Sequence, residues 1–241
     1  AEKPPSVTRA ELEAHLRSQL ADLELRIHKK LLERLDLMEF EKKAGAAADT
    51  QAILLLENNI EDICRELDVF NKGNAPILEE LAGLVLRDLL VNQLIMEGGR
   101  EQYFDLAVLA TNEFDVPAML VPEREAELHG LLRFLRERLS LHECRDSTEQ
   151  VQRVEERFHE FFPLVRPHLH EELRKYILLR ILKKDLKDTI FGFGPLQDLI
   201  RAPTVTEIMV VKSDQIYVER NGVIEKSGRR FISDKVTEAI I

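Results

Sequence analysis

The chain contains no tryptophan, only three tyrosines and only two cysteines in 241 residues. Each scarcity removes a class of protein. Cys64 and Cys144 lie far apart, with no Cys-x-x-Cys spacing. This is neither a disulfide framework nor a cysteine zinc site, and it suits a reducing compartment. With aromatic residues at 6%, the core must come from Leu, Ile and Val, which favours helices packed on helices. No apolar run approaches the ~18 residues a membrane span requires. The opening Ala1-Glu2-Lys3-Pro4-Pro5 has no signal-peptide apolar region. The expectation is a cytoplasmic protein with no direct membrane span. An initiator Met is also missing, and no Gly, Asn or Pro stops the helix expected at Ile240-Ile241. The chain is therefore expected to be a piece of a longer one.

Positive charge is in short supply as well. Thirty-four Lys and Arg face 44 Asp and Glu, for a net charge of −10. Nucleic-acid binding relies on clustered cations that neutralise phosphates. Lys29 with Lys30, and Lys183 and Lys184 with Lys187, are the local clusters. Interleaved with acids, they read as solvated helix faces, so no nucleic-acid partner is expected. No Walker A sequence occurs, so the glycine-rich phosphate cradle is lacking. Gly192-Phe193-Gly194 is not a dinucleotide fingerprint, because the third glycine is absent and a helix precedes it where a strand is needed.

What is present is the composition of a folded chain, 44% hydrophobic and 32% charged. Thr8 with Glu11 forms a capping box that opens a helix running to about Leu37. Leu12, Leu16, Leu20, Leu23, Ile27 and Leu31 lie on one stripe of it. The stripe suits a bundle core or a coiled-coil seam, and the loose heptad favours the bundle. A loop is expected within Glu41–Asp49 and a second helix over about Thr50–Leu67. Asn74 is read as the cap of a third, with Pro76 in its first turn and Leu78, Leu81, Val85 and Leu89 inward. Gly98-Gly99 ends it, and residues 101–121 read as a short helix or a strand, with helix favoured. Pro122 starts another helix carrying Leu128, Leu132, Leu135 and Leu139. Ser147 with Gln150 reads as a second capping box, for a helix that Pro163 and Pro167 break. A last long helix runs from about His168 to Asp188.

At Gly192 the texture changes. Thr206–Val211 and Gln215–Glu219 read as strands. Asn221-Gly222 is the preferred two-residue hairpin turn, since both residues tolerate positive φ. Val223–Lys226 returns as a third strand, and Arg229–Ile232 is a possible fourth. Ser233 caps a final helix. The fold class is thus α+β: a mainly helical N-terminal region (a helical bundle), then a small α+β domain with a three- or four-stranded, mostly antiparallel sheet. The expected division is a long N-terminal helix (1–44), a helical bundle of unassigned role (45–165) and an α+β domain (166–241) whose sheet spans 205–232.

No constellation carries chemistry by itself. His168, His170, Glu171 and Glu172 are close in sequence but do not form HExxH. Glu156 and His159 are a single Glu-x-x-His pair where a di-iron bundle needs two. No metal site is predicted. Cys64 falls on the apolar stripe of its helix and reads as core.

Three phrases near the C-terminus carry a family resemblance. Gly192-Phe-Gly-Pro-Leu-Gln-Asp-Leu-Ile200 resembles GxGPLExLL. Pro203-Thr-Val-Thr-Glu-Ile-Met-Val210 resembles VTEIMVNG. Gln215-Ile-Tyr-Val-Glu-Arg-Asn-Gly222 resembles xxVYVERNGK. They stand in the order and spacing of CpaF-type proteins, the Tad-pilus branch of the type II/IV secretion ATPases. Arg26–Asp36 resembles a helix near the start of the same proteins. The resemblance implies the N-terminal part of a hexameric motor, cut before its RecA-like domain, with ATP and Mg bound beyond Ile241. No catalytic residue and no cofactor carries over to this chain. What carries over is scaffold: Gly192, Gly194, Pro195 and Leu196 in a turn, Thr206 and Glu207 on a strand, and Glu219, Arg220 and Gly222 around the hairpin. Arg220 is the one candidate contact to nucleotide or a neighbouring subunit, with Glu219 beside it. The alternative is an exposed strand residue paired with Glu219 or Glu225. The implied partners are further copies of the chain and the inner-membrane secretion platform. The competing reading is a stand-alone helical adaptor without ATPase activity. Val211-Lys212 replaces the family's Asn-Gly, and residues 45–165 look like an added helical domain.

Overall fold

The computed structural model describes residues 8–35, 50–97 and 121–241. Its helices come first: α1 (Arg9–Arg34), α2 (Thr50–Glu66), α3 (Ala75–Glu97), α4 (Pro122–Arg138), α5 (Ser147–Val165), α6 (Glu171–Phe191) and α7 (Gln197–Arg201). Strands β1 (Val205–Lys212), β2 (Gln215–Arg220) and β3 (Val223–Lys226) follow, and α8 (Asp234–Ile240) comes last. The fold is α+β, a helical region followed by a small antiparallel sheet. The loop expected within Glu41–Asp49, the Gly98-Gly99 stop and most of the 101–121 segment lie outside the described residues. Among the described residues no helix is long and apolar enough to cross a membrane.

α1 begins as its sequence dictates. The Glu11 N–H donates to Thr8 Oγ1 at 3.3 Å, and the Thr8 N–H donates to the Glu11 carboxylate at 2.7 Å. Its stripe is covered from Leu16 through Ile27 to Leu31, while Leu12 at the outer end stays exposed. α3 departs from a single stripe. Leu78, Leu81, Ala82, Leu84, Val85, Leu86, Leu90 and Leu94 are all buried. A helix with so wide an apolar surface sits inside the bundle, with α1, α5 and α6 packed around it. Each fully buried Leu or Ile there contributes roughly 1.5–3 kcal/mol relative to exposure.

Three helix boundaries differ from the sequence reading. Asn71, not Asn74, makes the cap before α3: its side chain accepts the Asn74 N–H at 3.1 Å and starts a short 3₁₀ turn over Lys72–Asn74. Asn74 turns back to donate to the Val69 carbonyl. Asp146, not Ser147, caps α5, accepting the Glu149 N–H at 2.9 Å. Asp outcompetes Ser because a full carboxylate also answers the positive helix start. Pro163 does not break α5, which runs on to Val165. The ring lies on the exposed face, where water can satisfy the carbonyl freed by its missing N–H. The break comes at the 3₁₀ turn Arg166–His168, which contains Pro167. His170 then caps α6, accepting the Leu173 N–H.

The sheet has the order β1-β2-β3, antiparallel throughout. Asn221 and Gly222 turn the β2–β3 hairpin with φ of 52° and 77°, the positive values that this turn requires. The possible fourth strand at Arg229–Ile232 does not form. That segment makes a single bridging bond, from the Phe231 N–H to the Ser213 carbonyl at 2.7 Å, and its Phe231 side chain dives into the core. A side chain drawn inward there takes the backbone off the ladder.

Two hydrophobic cores result. The larger runs through α1–α6 and includes Leu173, Ile177, Ile181 and Leu186 of α6. The smaller gathers Leu196, Leu199, Ile216, Val218 and Phe231 under α8. Val205 packs against both. α6, grouped with the α+β segment on sequence, thus fills the helical core and hands the chain to the sheet through the Gly192–Leu196 turn.

Candidate functional site

The scaffold residues singled out in the sequence fall at three places. Gly192, Gly194, Pro195 and Leu196 form the turn after α6. A Cβ on Gly192 would sit 3.1 Å from the Asp188 carbonyl. Gly194 has φ of +55°, and a Cβ there would press on Ile240 at 3.2 Å. Leu196 is buried in the smaller core. Thr206, Glu207 and Glu219 lie at the outer side of the sheet. Thr206 is the extra residue of a bulge between Val205 and Glu207, and its hydroxyl donates to the Glu219 carbonyl at 3.1 Å. Glu207 stands directly opposite Glu219 in the ladder. Arg220 and Gly222 mark the hairpin.

Arg220 is not an exposed cation. Successive strand residues face opposite sides, so Glu219 turns outward and Arg220 inward, at 4% exposure. Its guanidinium pairs with Glu225 on β3 rather than with Glu219. Burial pushes its pKa below the ordinary arginine value, and the nearby charge of Glu155 opposes that. The arrangement is a hairpin brace set against α5, where Asn221 approaches the Thr148 hydroxyl at 3.5 Å. It does not offer the cation to a ligand outside.

The charged chemistry lies elsewhere, at the seam between the two cores. A cavity of about 110 Å³ opens where α1, α3 and α6 meet the Pro195 turn and the segment 227–232. On its α1–α3 side, Arg17 donates to both oxygens of Asp88 at 3.0 and 3.1 Å. Arg87 binds both oxygens of Glu13, at 2.8 and 2.5 Å. Those hydrogen bonds from Arg87 hold the Glu13 carboxyl down at about 2. Bidentate pairs of this kind are the geometrically specific ones.

On the α6 side, Lys184 bridges Asp188 at 2.8 Å and Asp198 of α7 at 2.9 Å. Arg229 reaches over to Asp198 at 3.0 Å and to the Asn92 amide oxygen of α3. Against the cost of burial, Arg229 and Lys184 keep the Asp198 carboxyl below its usual range. Asp188 goes the other way: burial outweighs Lys184 and pushes it up to about 6. Deeper in, Glu24 of α1 hydrogen-bonds Asp185 of α6, and both carboxyls are raised, chiefly by burial.

The lining hydroxyls are occupied. Thr189 donates to the Asp185 carbonyl at 2.8 Å and Ser227 to the Ile216 carbonyl at 2.9 Å. Such a site can pair charges and hold protons. It presents no hydroxyl or thiol nucleophile beside a base.

Of the scaffold and contact residues carried over from the family phrases, only Pro195 touches this cavity. The others were missed, though a signal existed. Glu24 interrupts the apolar stripe of α1 between Leu20 and Ile27, and Arg87-Asp88 interrupts the apolar run of α3. A charge on a buried face must find a partner. Three of the clustered lysines are engaged by acids. Lys30 pairs with Glu66 at 3.3 Å, Lys183 pairs with Glu61, and Lys184 belongs to the seam. His159 hydrogen-bonds Arg9 at 2.8 Å, and His170 sits 3.0 Å from Glu127. Among the described residues no group of three or more His, Cys, Asp or Glu is placed to hold a metal ion.

Compared with family models, curated proteins and solved structures, the chain returns no match.

Proposed function

We propose that the chain is the non-catalytic N-terminal portion of a secretion or pilus-assembly ATPase of the CpaF/Tad type. It positions the motor and contacts neighbouring subunits or the membrane platform. The observation that carries this reading is the run of three phrases, 192–200, 203–210 and 215–222, in the family's order and spacing. Their placement lends support. They fall on one continuous unit: a turn, a strand and a hairpin that share a small core of their own. A unit with its own core, joined to the bundle by polar contacts and by Val205, suits a part that moves as a body.

The reading puts ATP and Mg beyond Ile241 and assigns no step of hydrolysis to this chain. Within it Arg220 braces the hairpin, since it is buried on Glu225. The same reading places the protein in the cytoplasm, at the inner membrane through its partners, in a ring of six.

The test is titration with a fluorescent ATP analogue, run on this chain and on one extended by roughly 250 residues, an ordinary domain length. Tight binding and hydrolysis by the extended protein alone would support the motor reading. If the coding sequence stops near Ile241, or the extension adds no ATPase activity, the reading fails and the stand-alone adaptor takes its place.

A further inference from the structure

Charged contacts bridge the two apolar cores beside the apolar contact of Val205. Arg229, in the segment 227–232 that follows β3, ties the sheet unit to Asn92 of α3 and Asp198 of α7. Thr204 reaches the Ile95 carbonyl of α3 at 3.4 Å. At the bottom of this seam two acids meet. Glu24 is buried at 7% exposure on the inward face of α1, and its carboxyl hydrogen-bonds that of Asp185 on α6. Two carboxyl groups can make that bond only while one keeps its proton.

We propose that the Glu24–Asp185 carboxyl pair is a proton-operated latch that sets how tightly segment 227–232, and the sheet unit with it, is held against the helical bundle.

The surroundings decide which acid holds the proton. From α6, Lys184 lies beside Asp185, and from the 227–232 segment so does Arg229. These cations favour an ionised Asp185, with Asp198 of α7 opposing them. Glu24 faces burial first and the Asp185 charge second, with Arg230 alone on its favourable side. The pair shares one proton, with its negative charge drawn toward the cations beside Asp185. The remaining charges of the cavity are engaged elsewhere. Arg17 and Asp88 are paired, Arg87 is held by Glu13, and Asp188 is held by Lys184. Glu155 of α5 carries a raised pKa, mainly from burial, with Arg87 and Arg220 opposing. One turn along α1, burial lowers the pKa of His28.

The sign follows from linkage. An acid whose pKa is raised in the folded state stabilises that state while it stays protonated. The contribution is lost as pH rises through the folded pKa. When Glu24 ionises, two carboxylates oppose each other between α1 and α6. Arg230 is exposed, so water and salt screen its attraction. Asp185 and Arg229 are then pushed off their places, and segment 227–232 loosens. The latch is shut while Glu24 holds its proton and opens as pH rises through its raised pKa.

The experiment is hydrogen exchange read by mass spectrometry on the whole chain from pH 5 to 8, corrected for the intrinsic chemical rate. Amides of 227–232 should lose protection at least severalfold as pH rises across that range and Glu24 gives up its proton. In Glu24→Gln the amide still donates to Asp185 but has no proton to lose, so that loss should shrink to a small residue. Asp188, at about 6, titrates in both proteins, so the difference between them reports the latch. Superimposable profiles would overturn the proposal. If Glu24→Gln does not fold, carboxyl-carbon NMR of the unaltered protein decides. A Glu24 midpoint in the ordinary range near 4.3 refutes the latch. A raised midpoint that coincides with the loss of protection supports it.

Discussion

Glu125 is the residue whose loss should be felt most sharply away from the seam. It projects from α4 into the interface with α6. There its carboxylate accepts from His129 at 2.8 Å and from Tyr176 and Arg180. The Glu125 and Arg180 side chains are each 11% exposed. Against the cost of burial, the hydrogen bond from His129 and the charge of Arg180 hold the carboxyl at about 2, from an ordinary 4.5. At 1.36 kcal/mol per unit, that shift corresponds to about 3 kcal/mol of stabilisation at neutral pH. Breaking a buried pair and leaving one charge uncompensated costs about 3–5 kcal/mol, so the two routes agree. Glu125→Gln keeps the shape and removes the charge. Urea unfolding at pH 7 should show a loss of about 3 kcal/mol with the slope unchanged. The pH dependence should change as well. Because the folded pKa is depressed, this stability is present above 4.5 and disappears as pH falls toward about 2. The variant should lack that component of acid sensitivity. A loss under about 1 kcal/mol, the range of an exposed ion pair, would refute the reasoning and mean that water reaches the site.

Three further outcomes are expected. Asp146→Ala should cost about 1 kcal/mol in urea unfolding through the lost cap on α5; no loss would return the capping role to Ser147. Gly194→Ala should destabilise by about 1–2 kcal/mol, since φ of +55° is strained for a side chain and the Cβ would crowd Ile240. The loss should appear as reduced exchange protection in the sheet unit, with the bundle spared. One thiol per chain should react readily with a disulfide reagent. Cys144 is partly exposed, whereas Cys64 is buried, with its thiol pushed up to about 12 by burial and then by Glu61. Equal reactivity of both in the folded protein would mean that α2 is not seated as described.

Much of the fold was written locally. The Thr8–Glu11 box, the Pro122 start, the Ser233 cap and the Asn221-Gly222 turn are contacts between residues at most four apart. Short-range chemistry of that kind is visible in a string of letters. Where two local solutions competed, the sequence was ambiguous. Asp146 and Ser147 both can cap a helix, as can Asn71 and Asn74, and the choice depends on where the preceding chain arrives. Arg229–Ile232 had the residues of a strand, but Phe231 was wanted in the core. The candidate site was the least legible part. Its ion pairs and hydrogen bonds join residues such as Arg17 with Asp88, Lys184 with Asp198, and Arg229 with Asn92.

By itself, then, the sequence determined a helical chain ending in a hairpin-bearing sheet, because periodicity, caps and turns act over a few residues. It also supplied the three ordered phrases on which the proposed function rests. Only the tertiary structure decided that α3 lies at the centre of the bundle, that Arg220 turns inward to Glu225, and that Glu24 meets Asp185. Those facts depend on which faces cover one another. The burial that results sets the cost of a charge and so determines which acids keep their protons.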